Sequence, residues 1–215
     1  KWVDEGRIDE IEEQIRSIAE DKNGKLWLGT TIGGVILLNY YINDNQYAPI
    51  PVISHYDTAD GLPEGWVFVQ ETLNKIIFAT DKGLYQFNDD PDKAYFYPDT
   101  FFGKELSGEI QSIHRITQDH LGNIWMAVVK EGNIFEVGFA KRTQNNTFRW
   151  ENTPFLRIDD IVQSIYHEKN GITWLGNSNG LYRYDSQIDY NYNLDYPVLI
   201  RKVTLGKDSV LFGGP

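Results

Sequence analysis

One sequence unit recurs four times along this chain, and each copy is centred on a large aromatic residue. Counted between Trp27, Phe78, Trp125 and Trp174, the copies are spaced by 51, 47 and 49 residues. Periods of about 40 to 50 residues are typical of β-propeller blades, and they are too long for leucine-rich or tetratricopeptide repeats. The spacing therefore predicts a stack of similar units around a shared axis.

The unit contains a turn signal just before the aromatic residue. In three copies, two apolar residues three positions apart precede an acidic residue, two further residues and a glycine. These turns begin and end at Asp21 and Gly24, Asp119 and Gly122, and Glu168 and Gly171. A carboxylate accepts hydrogen bonds from nearby backbone N–H groups and glycine adopts positive φ, so the pattern predicts a hairpin. The second copy lacks this turn, which predicts a looser hairpin there.

Composition supports an all-β class and excludes several kinds of site. The 215 residues include 30 aromatic side chains and 19 glycines, which favours strands joined by turns. Cysteine is absent, which excludes disulfides, cysteine-ligated metals and a thiol nucleophile. The net charge of −11 and the lack of a Lys/Arg cluster argue against nucleic acid as a partner. No apolar run approaches the roughly 18 to 20 residues of a spanning helix, so no membrane contact is expected within these residues.

The repeat resembles a known family, the two-component regulator propeller. The closest stretches are Ile15 to Thr30 and Asp119 to Trp125, and Asp60-Gly61-Leu62-Pro63 is similar to the opening of many such repeats. The sequence departs from the pattern where Phe78 replaces Trp and where Gly-Thr becomes Ala127-Val128 or Gly176-Asn177. The resemblance implies the periplasmic or extracellular sensor region of a histidine kinase or hybrid two-component regulator, with any kinase module outside these residues.

A second resemblance follows the repeats. The stretch from Tyr196 to Leu205 is similar to the first strand of the three-Tyr, immunoglobulin-like domain that follows such propellers. We therefore expect propeller blades over residues 1–194 and the start of another β-domain over 195–215. The first 14 residues could close the ring, with Trp2, Val3 and Ile8 as apolar contacts. We favour an arc of a larger propeller, which exposes a blade face and predicts self-association.

Candidate ligand-binding residues lie on the innermost strands, which line the channel of a propeller. Alternate residues of a strand point to opposite sides, so we expect Arg16, His114 and Gln163 to face the channel. Arg115 would complete a polar ring. We align Val67 with these channel positions, and Trp66 with the aliphatic residues Ile15, Ile113 and Val162, so that Trp66 protrudes near a loop mouth. The alternative is a hydrated channel that binds no ligand.

The sequence offers no catalytic or metal-binding motif. It has no His-Glu-x-x-His, Gly-x-Ser-x-Gly, phosphate-loop or dinucleotide fingerprint, and the acidic turns do not follow the EF-hand pattern. We therefore expect no catalytic residue, no metal and no cofactor. The favoured function is non-catalytic sensing of a small molecule or oligosaccharide outside the cytoplasm. A propeller enzyme, such as a lyase or glycan-active hydrolase, and a purely structural interaction scaffold remain open.

Overall fold

Antiparallel sheets follow one another along the chain, and each is built from consecutive strands. The computed structural model describes residues 7–41, 50–90, 95–102, 112–145, 147–192, 202–205 and 209–213. In every sheet the strands pair in chain order. Such a meander of four strands is the architecture of a propeller blade. The expected all-β propeller, with four blades, is therefore confirmed.

The strand bounds show how regular the blades are. The first blade consists of β1 (Ile15–Glu20), β2 (Leu26–Thr30), β3 (Val35–Tyr41) and β4 (Ile50–Tyr56). The second consists of β5 (Val67–Thr72), β6 (Lys75–Thr80), β7 (Gly83–Asn88) and β8 (Tyr95–Pro98). The third consists of β9 (Ser112–Gln118), β10 (Ile124–Lys130), β11 (Ile134–Arg142) and β12 (Phe148–Glu151). The fourth has three described strands, β13 (Ser164–His167), β14 (Ile172–Asn177) and β15 (Gly180–Asp185). Short 3-10 turns follow the first and third blades, at Thr58–Asp60 and Thr153–Phe155.

The last described residues form a separate hairpin. Its strands are β16 (Lys202–Leu205) and β17 (Ser209–Gly213). The expected boundary between residues 194 and 195 lies outside the described residues, and the three-Tyr domain stays a prediction. At the other end, Trp2 and Val3 also lie outside them. Residues 7–14 form no strand, and Ile8 packs against the far face of the first blade. The closing strand expected from the first 14 residues is therefore not formed by residues 7–14.

Apolar cores lie between successive blades. Trp27 of the first blade packs with Val67, Val69 and Phe78 of the second. Ile77 and Ala79 on the other face of the second blade pack with the third. Trp125 of the third blade packs with Leu175 of the fourth in the same way. The far face of the first blade is buried differently, because the segment that contains Ile8 and Ile11 packs against Leu28, Ile36 and Leu38.

The prediction that Phe78 is the equivalent of the three tryptophans is wrong by one residue. Phe78 faces the preceding blade and meets Trp27 edge to face, with 5.2 Å between ring centroids. Ile77 faces the following blade, as Trp27 and Trp125 do. Adjacent residues of a strand point to opposite faces, so a shift of one residue reverses the side chain's direction. With Ile77 as the anchor, the spacings become 50, 48 and 49 residues.

The predicted acidic turns are present, and the expectation for the second blade is wrong. In the first and third blades the turn glycines have φ of 77° and 82°, and their N–H groups donate to the carbonyls of Asp21 and Asp119. In the second blade, Leu73 and Asn74 alone join β5 to β6, with φ of 53° and 59°. Two positive φ values define a type I′ turn, the tightest hairpin connection. The hairpin of the second blade is therefore tighter than the others.

Candidate functional site

The starts of the four innermost strands carry the residues expected to bind a ligand. In the first blade, Ile15 pairs with Thr30 and Ser17 with Gly29, which leaves Arg16 as an unpaired bulge residue. In the third blade, His114 is left over in the same way between Ile113 and Arg115. A β-bulge re-aims the side chain of the extra residue. The bulge, repeated in both blades, therefore points the side chains of Arg16 and His114 away from the directions that the regular alternation of strand side chains would give them.

The second blade departs from the alignment expected from the sequence. Val67 is fully buried against the preceding blade, as Ile113 is, and so takes the aliphatic position. Trp66 lies one residue before it, immediately ahead of β5. Both assignments for this blade, Trp66 as the aliphatic equivalent and Val67 as a channel residue, are therefore wrong. The reason is that β5 pairs with β6 without a bulge.

The structure nevertheless brings the five sequence-predicted residues together. The guanidinium carbon of Arg16 lies 4.8 Å from the centre of the Trp66 ring, and that ring lies 4.9 Å from the imidazole of His114. The Arg115 side chain donates from Nη1 to the carbonyl of His114 at 3.0 Å and from Nε to the carbonyl of Gln163 at 2.7 Å. We call these residues the inner-strand cluster. They come from four consecutive blades.

Two features of the cluster were not expected. Gln163 takes part through its backbone carbonyl, while its side chain is exposed. Phe68, which sequence reasoning passed over, lies beneath the Arg115 guanidinium at 5.2 Å. The signal for Phe68 was its place on the inner strand β5, two residues after Trp66. Its ring and that of Trp66 each support one guanidinium group.

Positive charge dominates the electrostatics of the cluster. Burial, assisted by the charges of Arg16 and Arg115, lowers the pKa of His114 below its ordinary value. Since that ordinary value is about 6.5, the imidazole is neutral at neutral pH. Burial and the charge of Arg16 also lower the pKa of Arg115. Within the described ranges, neither Arg16 nor Arg115 forms an ion pair with a carboxylate.

Other concave surfaces lie at the ends of the blades opposite to the inner-strand cluster. Between the third and fourth blades, a groove of about 540 Å³ is lined by Asp119, Trp125, His167, Glu168 and Tyr184, among others. There the imidazole of His167 bridges two hydroxyl groups, with Nε2 and Nδ1 each 2.9 Å from a threonine Oγ1. One threonine lies on β9 and the other on β14, so His167 links neighbouring blades. This groove is an interface between sheets.

Metal binding and membrane spanning find no support in the described part of the chain. No group of three or more His, Asp or Glu side chains in the described ranges is placed to hold a metal ion. Across the same residues, no helix has the length and apolar character needed to cross a membrane.

Comparison with known proteins identifies one repeat and the fold. Residues 9–31 match the family model described as two component regulator propeller. The chain is similar to the extracellular domain of a putative hybrid two component system from B. thetaiotaomicron, with a TM-score of 0.54 and 22% sequence identity. The match covers 91% of this chain and 25% of that chain. No curated protein matches. The resemblance inferred from the first repeat is thereby confirmed, and the solved structure supports the propeller fold.

Proposed function

We propose that this chain is the extracytoplasmic sensor region of a two-component signalling protein and is not itself catalytic. It binds a small molecule or an oligosaccharide at the inner-strand cluster. The family match over residues 9–31 supports a regulator propeller, and the similar solved structure is an extracellular domain. The chain spans 25% of that structure's length. That the full-length protein also carries a signalling output module is therefore part of what we propose.

This proposal rests on one observation: the inner-strand cluster is built from residues of four consecutive blades. Arg16, Trp66, His114 and Gln163 each come from a different blade, and Arg115 ties the third blade to the fourth. A ligand held here contacts several sheets at once. It transmits a signal if it binds one arrangement of the blades more tightly than another.

The chemistry of the cluster favours binding over catalysis. A catalytic histidine is normally oriented by a carboxylate and paired with a nucleophile or substrate proton. His114 instead faces an indole ring and two guanidinium groups. A cationic surrounding opposes its protonation, so it is a poor acceptor of a proton in a reaction. The enzyme alternative would need an acid or base from outside this cluster.

The test combines ligand binding with signal output. A thermal-shift panel of metabolites and oligosaccharides would be run on the wild type, on His114→Ala and on the matched control His120→Ala, whose exposed side chain lies in the turn of the third blade. We expect compounds that stabilise the wild type and His120→Ala but not His114→Ala. The same compounds should change autophosphorylation by the full-length protein in membrane vesicles.

Three outcomes would contradict the proposal. Turnover of a stabilising compound would identify an enzyme. Stabilisation that survives His114→Ala would place the ligand elsewhere. Binding that leaves autophosphorylation of the full-length protein unchanged would favour a structural scaffold.

A further inference from the structure

We infer that the ligand of the inner-strand cluster is an anion, and that its oxyanion group, of the carboxylate type, bridges the guanidinium groups of Arg16 and Arg115. This inference rests on the proposed function, since it names the chemical class of ligand for the same site. Neither the family match nor the similar structure assigns a ligand of this class to these residues.

The two guanidinium groups have more hydrogen-bond donors than the described residues accept. A guanidinium group carries five N–H donors. Arg115 uses two of its nitrogens for the carbonyls of His114 and Gln163, and no described residue accepts from Nη2. Arg16 donates to no described residue. A planar acceptor with two oxygens, such as a carboxylate, matches the fork geometry of these free donors.

The two cations also repel each other, and no carboxylate in the described part of the chain pairs with either of them. The charge of Arg16 is close enough to lower the pKa of Arg115, and both charges lower that of His114. Two other strand arginines are neutralised within their own strand, Arg149 by Glu151 at 3.2 Å and Arg183 by Asp185 at 3.0 Å. An anion placed between Arg16 and Arg115 removes this repulsion.

Aromatic rings hold both guanidinium groups in position before a ligand binds. Trp66 supports Arg16 and Phe68 supports Arg115, and both aromatic residues belong to the second blade. A cation over an aromatic ring keeps a defined plane, so less side-chain entropy is lost when a ligand binds. Trp66 and Phe68 act as positioning residues for the anion site.

The cationic cluster lies in a chain whose net charge is negative. The chain has a net charge of −11, so its field repels anions in general. Glu64 and Asp81 lie near Trp66 in the second blade, yet neither forms an ion pair with Arg16 or Arg115 in the described part of the chain. The attraction for an anion at this site would therefore come from Arg16 and Arg115, and not from the net charge of the chain.

The test compares two probes of nearly equal shape, benzoate and benzamide, by ligand-observed NMR titration at low salt. The proteins are the wild type, Arg16→Gln and the control Arg149→Gln, which removes an arginine from an outer strand. We expect the wild type and Arg149→Gln to bind benzoate at least about tenfold more tightly than benzamide, since a charge-assisted hydrogen bond is lost with the amide. Arg16→Gln should lose this preference.

Arg115→Lys adds a second measurement that does not depend on net charge. This variant keeps the cation but loses the planar fork, so we expect weaker benzoate binding with an unchanged circular dichroism spectrum. Equal affinity for benzoate and benzamide, binding of neither probe by the wild type, or equal loss in Arg149→Gln would overturn the inference. Such a failure differs from failure of the proposed function, because autophosphorylation by the full-length protein would still respond to a neutral ligand that requires His114.

Discussion

A carboxylate in the first turn of three blades has two partners, the turn and the aromatic anchor. Asp21 and Asp119 accept from backbone N–H groups of their turns, and Glu168 accepts from the side-chain amide of Asn170. In all three blades the carboxylate also accepts a hydrogen bond from the indole Nε1 of the tryptophan six residues later. The distances are 3.3 Å for Asp21 and Trp27, 2.9 Å for Asp119 and Trp125, and 2.5 Å for Glu168 and Trp174. The second blade lacks both halves of this pair, because the side chain of Ile77 has no N–H and the turn of this blade has no acidic residue. The two departures of the second repeat from the pattern, the missing acidic residue and the missing tryptophan, therefore belong together.

We predict that Asp119→Ala lowers the free energy of unfolding by about 2–4 kcal/mol. Its carboxylate accepts from the backbone of Leu121 and Asn123, from the side chain of Asn123 and from the buried Trp125, and unsatisfied buried donors are costly. Urea unfolding measures the change, and Glu131→Gln, at an exposed position, is the control. A loss below about 0.5 kcal/mol, the usual limit for surface substitutions, would show that the pair is not structural.

At the scale of the strand, the close approach of the first two blades depends on the absence of a side chain at Gly29. A Cβ added to Gly29 would meet the Val67 carbonyl oxygen of the next blade and would lie 2.6 Å from Oγ of Ser17. That hydroxyl also accepts from the backbone N–H of Val69 at 2.7 Å, so the first two blades are in direct polar contact. The equivalent residue of the fourth blade, Gly176, has only ordinary contacts, the nearest at 3.7 Å.

Gly29→Ala and Gly176→Ala therefore form a matched pair. We expect Gly29→Ala to lower the free energy of unfolding by about 1–3 kcal/mol, because the added methyl group forces the first two blades apart. Gly176→Ala should be neutral or slightly stabilising, since alanine restricts the unfolded chain. Chemical unfolding measures the free energy of unfolding of both variants. A similar decrease in the two would contradict the role of Gly29 in the contact between blades.

The sequence was sufficient for the fold and most of the cluster, but not for the register of one blade. Period, turns and aromatic content identified four propeller units, and Arg16 and His114 were recognised as equivalent. The alignment of the second blade failed because Phe78 and Ile77 are both plausible core residues, and alternation cannot tell which faces which neighbour. Thr80 held the missing signal, since it bonds the carbonyl of Gly83 as Thr30 bonds that of Gly34. The bulges that aim Arg16 and His114 have no local sequence signature.

Across the whole molecule, the blades differ in how far they are covered. Trp27 and Trp125 are buried by the blade that follows, whereas Trp174 lies on the far face of the fourth blade and is only half-buried. On that face, Leu181 is 67% exposed and Tyr166 is 65% exposed. The self-association expected from such a face stays a prediction, and sedimentation over a range of protein concentrations checks it.

We predict that truncation of the two tryptophans has unequal effects on stability. Trp125→Ala should lower the free energy of unfolding by about 3–5 kcal/mol, the usual loss for a fully buried large aromatic residue. Trp174→Ala should cost less than half as much, because its ring already contacts solvent. Urea unfolding at low protein concentration provides the comparison. Equal losses would mean that the far face of the fourth blade is covered in solution.

The bulges at Arg16 and His114 have a consequence for how recognition can change. In the first and third blades, a bulge in the strand itself aims Arg16 or His114 into the inner-strand cluster, while the second blade supplies the aromatic rings that support Arg16 and Arg115. Exchange of the first repeat for a divergent copy would replace Arg16 and keep the cluster residues of the other three blades in place. Recognition in such a protein can therefore change through the bulge residue of one inner strand while the blade around it keeps its pairing.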